Sequence, residues 1–141
     1  MNEVKRRLAW HGLFLFLLGL LTGLIAEHVT NARMGLSAHL EGVMNGILLL
    51  ALSGAWQEIR LSAGYTRAAL ALVFYGAYAN WGVTLLAAVL GTGAMTPIAA
   101  AGRSAAPWQE MLVSIGFVSV ALSIIGASLL LLIGLRAKAR A

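Results

Sequence analysis

Within seven residues, His39, Glu41 and Asn45 place an imidazole, a carboxylate and a primary amide inside an otherwise apolar run. Such groups can ligate a metal, carry a proton and hydrogen-bond an oxygen that leaves or arrives. At helical spacing Gly42, Val43 and Gly46 follow His39 at i+3, i+4 and i+7, so all four share a face. That face is an imidazole above a smooth groove. A planar macrocycle ligated through the imidazole could lie along it, because haem iron commonly takes a histidine ligand. The competing reading is a histidine satisfied by a neighbouring helix, with the glycines serving packing alone. Glu41 points almost opposite to His39, and Asn45 shares its face at i+4, where the two could hydrogen-bond or share a substrate. Glu41 reads either as a catalytic group or as an interfacial carboxylate reaching toward water or Arg33.

A second polar stretch comprises Tyr75, Tyr78, Asn80, Trp81 and Thr84. Tyr75 lies three before Tyr78 and Asn80 four before Thr84, so two adjacent helix faces carry hydrogen-bonding groups. An aromatic belt at the membrane surface explains one or two of these, yet the stretch falls near mid-span. Asn80 in particular calls for a buried partner or a pocket. The remaining histidines, His11 and His28, lie near opposite ends of the preceding segment. At 1.5 Å per residue His11 and His39 should stand roughly 20 Å or more apart along the membrane normal, too far to ligate one iron within a subunit. That spacing favours an iron with an open position over a two-histidine electron carrier. His28 reads as a surface residue of a loop. Cysteine is absent, which removes disulfides, thiolate metal sites and cysteine nucleophiles together.

The elements that must position these residues follow from composition. Of 141 residues 60% are hydrophobic and 11% charged, and the mean hydropathy is +0.87. A water-soluble fold could not cover that much apolar surface. Four segments, 8–26, 36–55, 68–90 and 111–135, are long and apolar enough to cross a hydrocarbon layer of about 30 Å. They must be helical, because strands would leave amides unpaired in lipid and the alternation of a barrel is missing. The expected fold is thus an all-α, four-helix transmembrane bundle forming one domain over 1–141. The first segment is not a signal peptide: its apolar run is too long, and Glu27 and His28 stand where a small-residue cleavage site belongs.

Lys5, Arg6, Arg7, Arg60, Arg67, Arg136, Lys138 and Arg140 are eight of the ten basic residues, and all fall on one side of the four segments. Only Arg33 and Arg103 lie on the other. The positive-inside rule then predicts both termini in the cytoplasm of a bacterial-type inner membrane. The net charge of +5 is therefore an orientation signal and not a nucleic-acid patch. The first two connections read as tight hairpins. The third, 91–107, is long, rich in Gly and Ala and holds both prolines, Pro97 and Pro107. It reads as a mobile linker or as a lid over a site opening outward.

Residues 35–46, with the stretch 5–12 ahead of them, resemble the hydroxylaminobenzene mutases, and the likeness runs along nearly the whole chain. It extends more distantly to styrene oxide isomerases, whose pattern of Ala-His, a five-residue gap and Asn-Gly is matched by Ala38, His39, Asn45 and Gly46. The resemblance implies an isomerase that converts phenylhydroxylamine to 2-aminophenol without net redox change, a step of nitroaromatic degradation. In the epoxide-isomerising relatives haem b sits at the subunit contacts of a trimer. By that analogy His39 is the iron ligand, Gly42 and Gly46 floor the macrocycle, and Arg33 and Arg103 are candidate propionate partners. Asn45, Asn80, Tyr78, Thr84 and Glu41 are the candidate catalytic groups, with Trp81 and the tyrosines in aromatic contact with the substrate. One departure falls on Thr84, which occupies the position of a functional tyrosine in the epoxide isomerases. Two other classes fit the size: a four-helix multidrug exporter, which needs a carboxylate that segment 8–26 lacks, and a haem-binding accessory or electron-transfer subunit.

Overall fold

The computed structural model describes residues 3–136. Lys138 and Arg140, which the charge asymmetry uses, lie outside them. The chain forms α1 (Glu3–Ile25), α2 (Ala32–Ala55), α3 (Ala63–Leu90), a short α4 (Pro97–Ala100) and α5 (Pro107–Arg136), with no strand among the described residues. The four long helices are the ones long and apolar enough to cross a membrane. Each long helix begins four or five residues ahead of its apolar run. The polar first turns, such as Glu3–Arg7, lie where hydropathy falls although the backbone is already helical.

The helices pack in series: α1 on α2, α2 on α3, and α3 on α5. Leu8, Leu15, Leu49, Val73, Ala77 and Ala127 form a buried core toward the end that carries the termini. Met34, Ala87, Ala88 and Val113 form a second core toward the far end. Large apolar side chains such as Leu24, Ile47, Leu122 and Ile133 point outward. In water this surface would drive aggregation, whereas in hydrocarbon it meets its own kind.

Small residues set how closely α1 and α2 approach. A Cβ on Gly42 would lie 2.5 Å from the Cα of Gly19, and one on Gly19 would lie 2.5 Å from the Val43 nitrogen. A Cβ on Gly46 would lie 2.6 Å from the Phe16 nitrogen. The smooth face beside His39 is therefore filled by α1 itself. This corrects the expectation that Gly42 and Gly46 floor a macrocycle: within the chain they are packing glycines, because the backbone of α1 occupies the space a flat ligand would need.

The far end is tied rather than loose. Asn31 caps α2, its Oδ1 accepting from the amides of Arg33 and Met34. Its own amide nitrogen donates to the Ala88 carbonyl, and its Nδ2 donates to the carbonyl of Ala99 in α4. From α5, the Glu110 carboxylate accepts from the backbone amides of Gly93, Ala94 and Ala105. The α3–α5 connection is thus a folded cap, which sets aside the mobile-linker reading. At the opposite end the Arg60 amide donates to the Gly134 carbonyl, joining the α2–α3 turn to the last turn of α5.

Candidate active site

Glu41, Asn45 and Asn80 meet between α2 and α3. Asn45 stands one turn after Glu41, and its Nδ2 donates to the Glu41 carbonyl at 2.8 Å and to Glu41 Oε2 at 3.0 Å. From α3, Asn80 Nδ2 donates to the same Oε2 at 2.5 Å. Glu41 and Asn80 are half-buried and Asn45 is 7% exposed. A carboxylate only accepts, so both amides must turn their NH2 groups toward it and their carbonyl oxygens away. Glu41 Oε1 and the two amide oxygens, which have no protein donor among the described residues, are then the groups left for a ligand. No buried side-chain oxygen or nitrogen lacks a partner among the described residues, so these three atoms reach a surface. The partner that Asn80 calls for in the sequence is Glu41, and the carboxylate is not spent on Arg33.

Ser37 and Arg33 continue the face of Glu41 at i−4 and i−8. Both line a cavity of about 420 Å³ whose other wall is formed by residues 95–99. The cap therefore forms one wall of an open cleft, whose nearest lining residue on α2, Ser37, is one turn before Glu41. Arg103 turns back to the carbonyl of Ala100 at 3.5 Å.

His39 lies on the other edge of α2. Its Nδ1 is 2.8 Å from the Gly19 carbonyl oxygen, and a Cβ on Gly23 would come within 2.7 Å of that nitrogen. A carbonyl cannot donate, so Nδ1 carries the hydrogen and Nε2 keeps its lone pair. This is the arrangement in which a backbone carbonyl orients a metal-ligating imidazole. Among the described residues no three His, Cys, Asp or Glu side chains gather into a metal site; a haem would need only one axial imidazole, and His39 is the residue that could offer it. His39 is level with Gly19 and Gly23 of α1, which places it about 12 to 18 Å along the axis from His11. The separation is smaller than the sequence suggests but still excludes a shared iron. His28 is exposed in the α1–α2 turn.

Tyr78 is elsewhere. Its hydroxyl lies 2.9 Å from His11 Nδ1 and also donates to the His11 carbonyl at 3.4 Å. It joins α3 to α1 and does not join the Glu41 cluster. Two positions on an α-helix differ by about 200°, which turns Tyr78 away from Asn80. Trp81 is likewise engaged in packing: its Nε1 donates to Thr22 Oγ1 at 3.0 Å, and its ring edge abuts Gly42. Tyr75 bonds Ser119 of α5 at 2.7 Å. Thr84 is buried one turn beyond Asn80. Asn31, Glu110 and Thr22 carry no expectation from sequence, although Pro107 at the start of α5 followed by Gln109, whose Oε1 accepts from the Ala106 amide, marks that helix start.

Fold and site together define a membrane-spanning four-helix protein with a carboxylate-centred polar cluster among its helices. Residues 4–136 match the family model described as styrene oxide isomerase, and the chain belongs to that family. It is 47% identical over 134 residues to hydroxylaminobenzene mutase HabB of Ectopseudomonas oleovorans, covering 94% of this chain and 82% of the relative. It is 41% identical over 125 residues to hydroxylaminobenzene mutase HabA of the same organism, covering 88% and 93%. No solved structure matches it. The chain is an enzyme of the isomerase and mutase kind, which sets aside the exporter and electron-carrier readings.

Proposed function

We propose that the chain converts hydroxylaminobenzene to 2-aminophenol at Glu41, Asn45 and Asn80. The observation that carries this reading is the convergence of two amides from two helices on one carboxylate, in a chain similar to two mutases of that name. The three acceptor atoms left open suit a ligand that offers an N–H and an O–H, as an arylhydroxylamine does. The nitrogen–oxygen bond breaks, the hydroxyl forms a bond to the ortho carbon, and the proton on that carbon must move to nitrogen. Atoms balance without an oxidant or reductant. Glu41 takes the ring proton and returns it to nitrogen, while the amide oxygens of Asn45 and Asn80 hold the migrating hydroxyl by its hydrogen. The apolar surroundings of membrane-spanning helices keep bulk water scarce at the para carbon, so the retained hydroxyl goes to the neighbouring position.

His39 is the residue that would hold haem b, through the Nε2 left free by the Nδ1 bond to Gly19. Ferric haem bound there would supply a Lewis acid toward the substrate nitrogen or oxygen. His39 and Glu41 are two residues apart and so about 200° apart around α2. A site using both edges is completed by a neighbouring copy, and a homotrimer provides three equivalent seams of that kind. The basic-residue asymmetry supports an inner membrane with both termini in the cytoplasm.

The test is an absorption spectrum of detergent-purified protein before and after hydroxylaminobenzene, with product analysis in the absence of reductant. We expect a Soret band that shifts with substrate, 2-aminophenol as product, and loss of both haem and turnover in His39→Ala. Failure to form 2-aminophenol sinks the mutase reading. A fully active preparation without metal sinks only the haem.

A further inference from the structure

The proposed site leaves one polar pocket unused, at the other end of α1. Arg6, Arg7, Trp10 and His11 line a cavity of about 260 Å³ there. Helical spacing gathers them, since Trp10 follows Arg6 by four and His11 follows Arg7 by four. Both arginines are exposed, and among the described residues neither has a carboxylate within ion-pair distance. Arg7 lies 6.0 Å from the centroid of the Phe74 ring. The floor is fixed: the His11 ring meets Trp10 edge-on at 4.9 Å, Phe74 at 4.8 Å, and the Tyr78 hydroxyl through Nδ1. Two guanidinium groups without an ion-pair partner among the described residues, with Glu3 one turn before them, stand above this packed floor and can take an anion.

Trp10 also forms the lip of a second cavity, about 270 Å³, which continues along α1 past Leu13, Phe14 and Leu17. Trp10 and Phe14 stack with centroids 5.1 Å apart at 18°. The cationic pocket thus runs directly into an apolar groove on the outward face of α1. A soluble phosphate satisfies only the first part and a neutral lipid only the second. A zwitterionic lipid brings its own cation up against two arginines. The ligand that fits both parts is an anion covalently joined to a hydrocarbon chain. Trp10, half apolar and half polar, sits at the boundary, as tryptophans do at headgroup depth.

We propose that Arg6, Arg7 and Trp10 bind the headgroup of an anionic phospholipid whose acyl chain lies along Phe14 and Leu17. This site is distinct from the Glu41 cluster and stands or falls without it. Native mass spectrometry of the full chain in detergent, with phosphatidylglycerol or phosphatidylcholine of matched acyl chains, tests it. Wild type should retain phosphatidylglycerol roughly tenfold or more over phosphatidylcholine, since each arginine near a membrane surface adds attraction for anionic lipid. The double variant Arg6→Gln, Arg7→Gln should lose that preference, and Arg6→Lys, Arg7→Lys should keep most of it. Trp10→Ala should weaken retention of phosphatidylglycerol while the thermal midpoint holds. Equal retention of the two lipids, or an unchanged preference in the glutamine variant, overturns the proposal. So does displacement by millimolar glycerol phosphate, which would mark a soluble-anion site. A photo-crosslinker at Leu17 that captures a second copy instead of lipid overturns it as well.

Discussion

The Gly19 carbonyl and the His39 imidazole are joined by a 2.8 Å hydrogen bond that crosses from α1 to α2. It leaves Nε2 as the open nitrogen, and Gly23 one turn along α1 gives the ring its space. A methyl group at Gly23 would come within 2.7 Å of Nδ1. Gly23→Ala should therefore turn the ring, cost about 1 kcal/mol of stability through the lost hydrogen bond, and lower turnover. Wild-type turnover in a folded Gly23→Ala protein would show that the ring's pose does not matter.

Glu41 is asked to move a proton, a task that general acid–base groups perform with rate gains of about 10²- to 10⁴-fold. Glu41→Gln keeps the shape and an acceptor for both amides, so it should fold normally and lose kcat by a factor in that range with KM less affected. Asn80→Asp sets a second carboxylate against Glu41 Oε2 and should be more damaging than Asn80→Ala. Steady-state kinetics on the three variants checks the ordering.

At Gly42 the obstacle to a side chain is backbone, which cannot swing aside. Gly42→Ala should cost about 1 to 3 kcal/mol, as overpacking does, and lower the thermal midpoint in detergent. Gly82 has nothing within 4 Å of an added Cβ, and Gly82→Ala should leave the midpoint unchanged or raise it slightly.

Because the Tyr78 hydroxyl is spent on His11, Tyr78→Phe should leave kcat within a few-fold of wild type. Its effect should be a stability loss of about 1 kcal/mol. A hundredfold fall in kcat with an unchanged melting curve would return Tyr78 to the chemistry.

Glu110 gathers three backbone amides of the cap. Glu110→Ala should open the 91–106 connection to protease while the helices stay protected. Limited proteolysis with intact-mass readout distinguishes this from global unfolding.

The four spans were legible because a run of apolar residues has one stable form in lipid, whatever its neighbours. Their beginnings were less so, since the polar turns at Glu3–Arg7 and 107–110 are helical without being hydrophobic. Glu41 and Asn45 could be paired from spacing alone, because four residues on one helix fix a distance. That Asn80 completes the group depends on how α3 rotates against α2, information that no local pattern contains. The same limit explains Gly42 and Gly46: a glycine face looks identical beneath a macrocycle and beneath another helix. Tyr78 and His11 are 67 positions apart, and only the packed bundle shows that each occupies the other.

The Gly19–Gly42 crossing lies wholly within the first two helices. Its fit depends on bare main chain meeting bare main chain, and Trp81 of α3 then closes against Gly42. Both helices precede α3 in the chain, so this crossing needs no residue made after Ala55 to bring the two backbones together. The Gly19–His39 hydrogen bond joins only these two helices, whereas the carboxylate cluster is incomplete until the third brings Asn80 to Glu41.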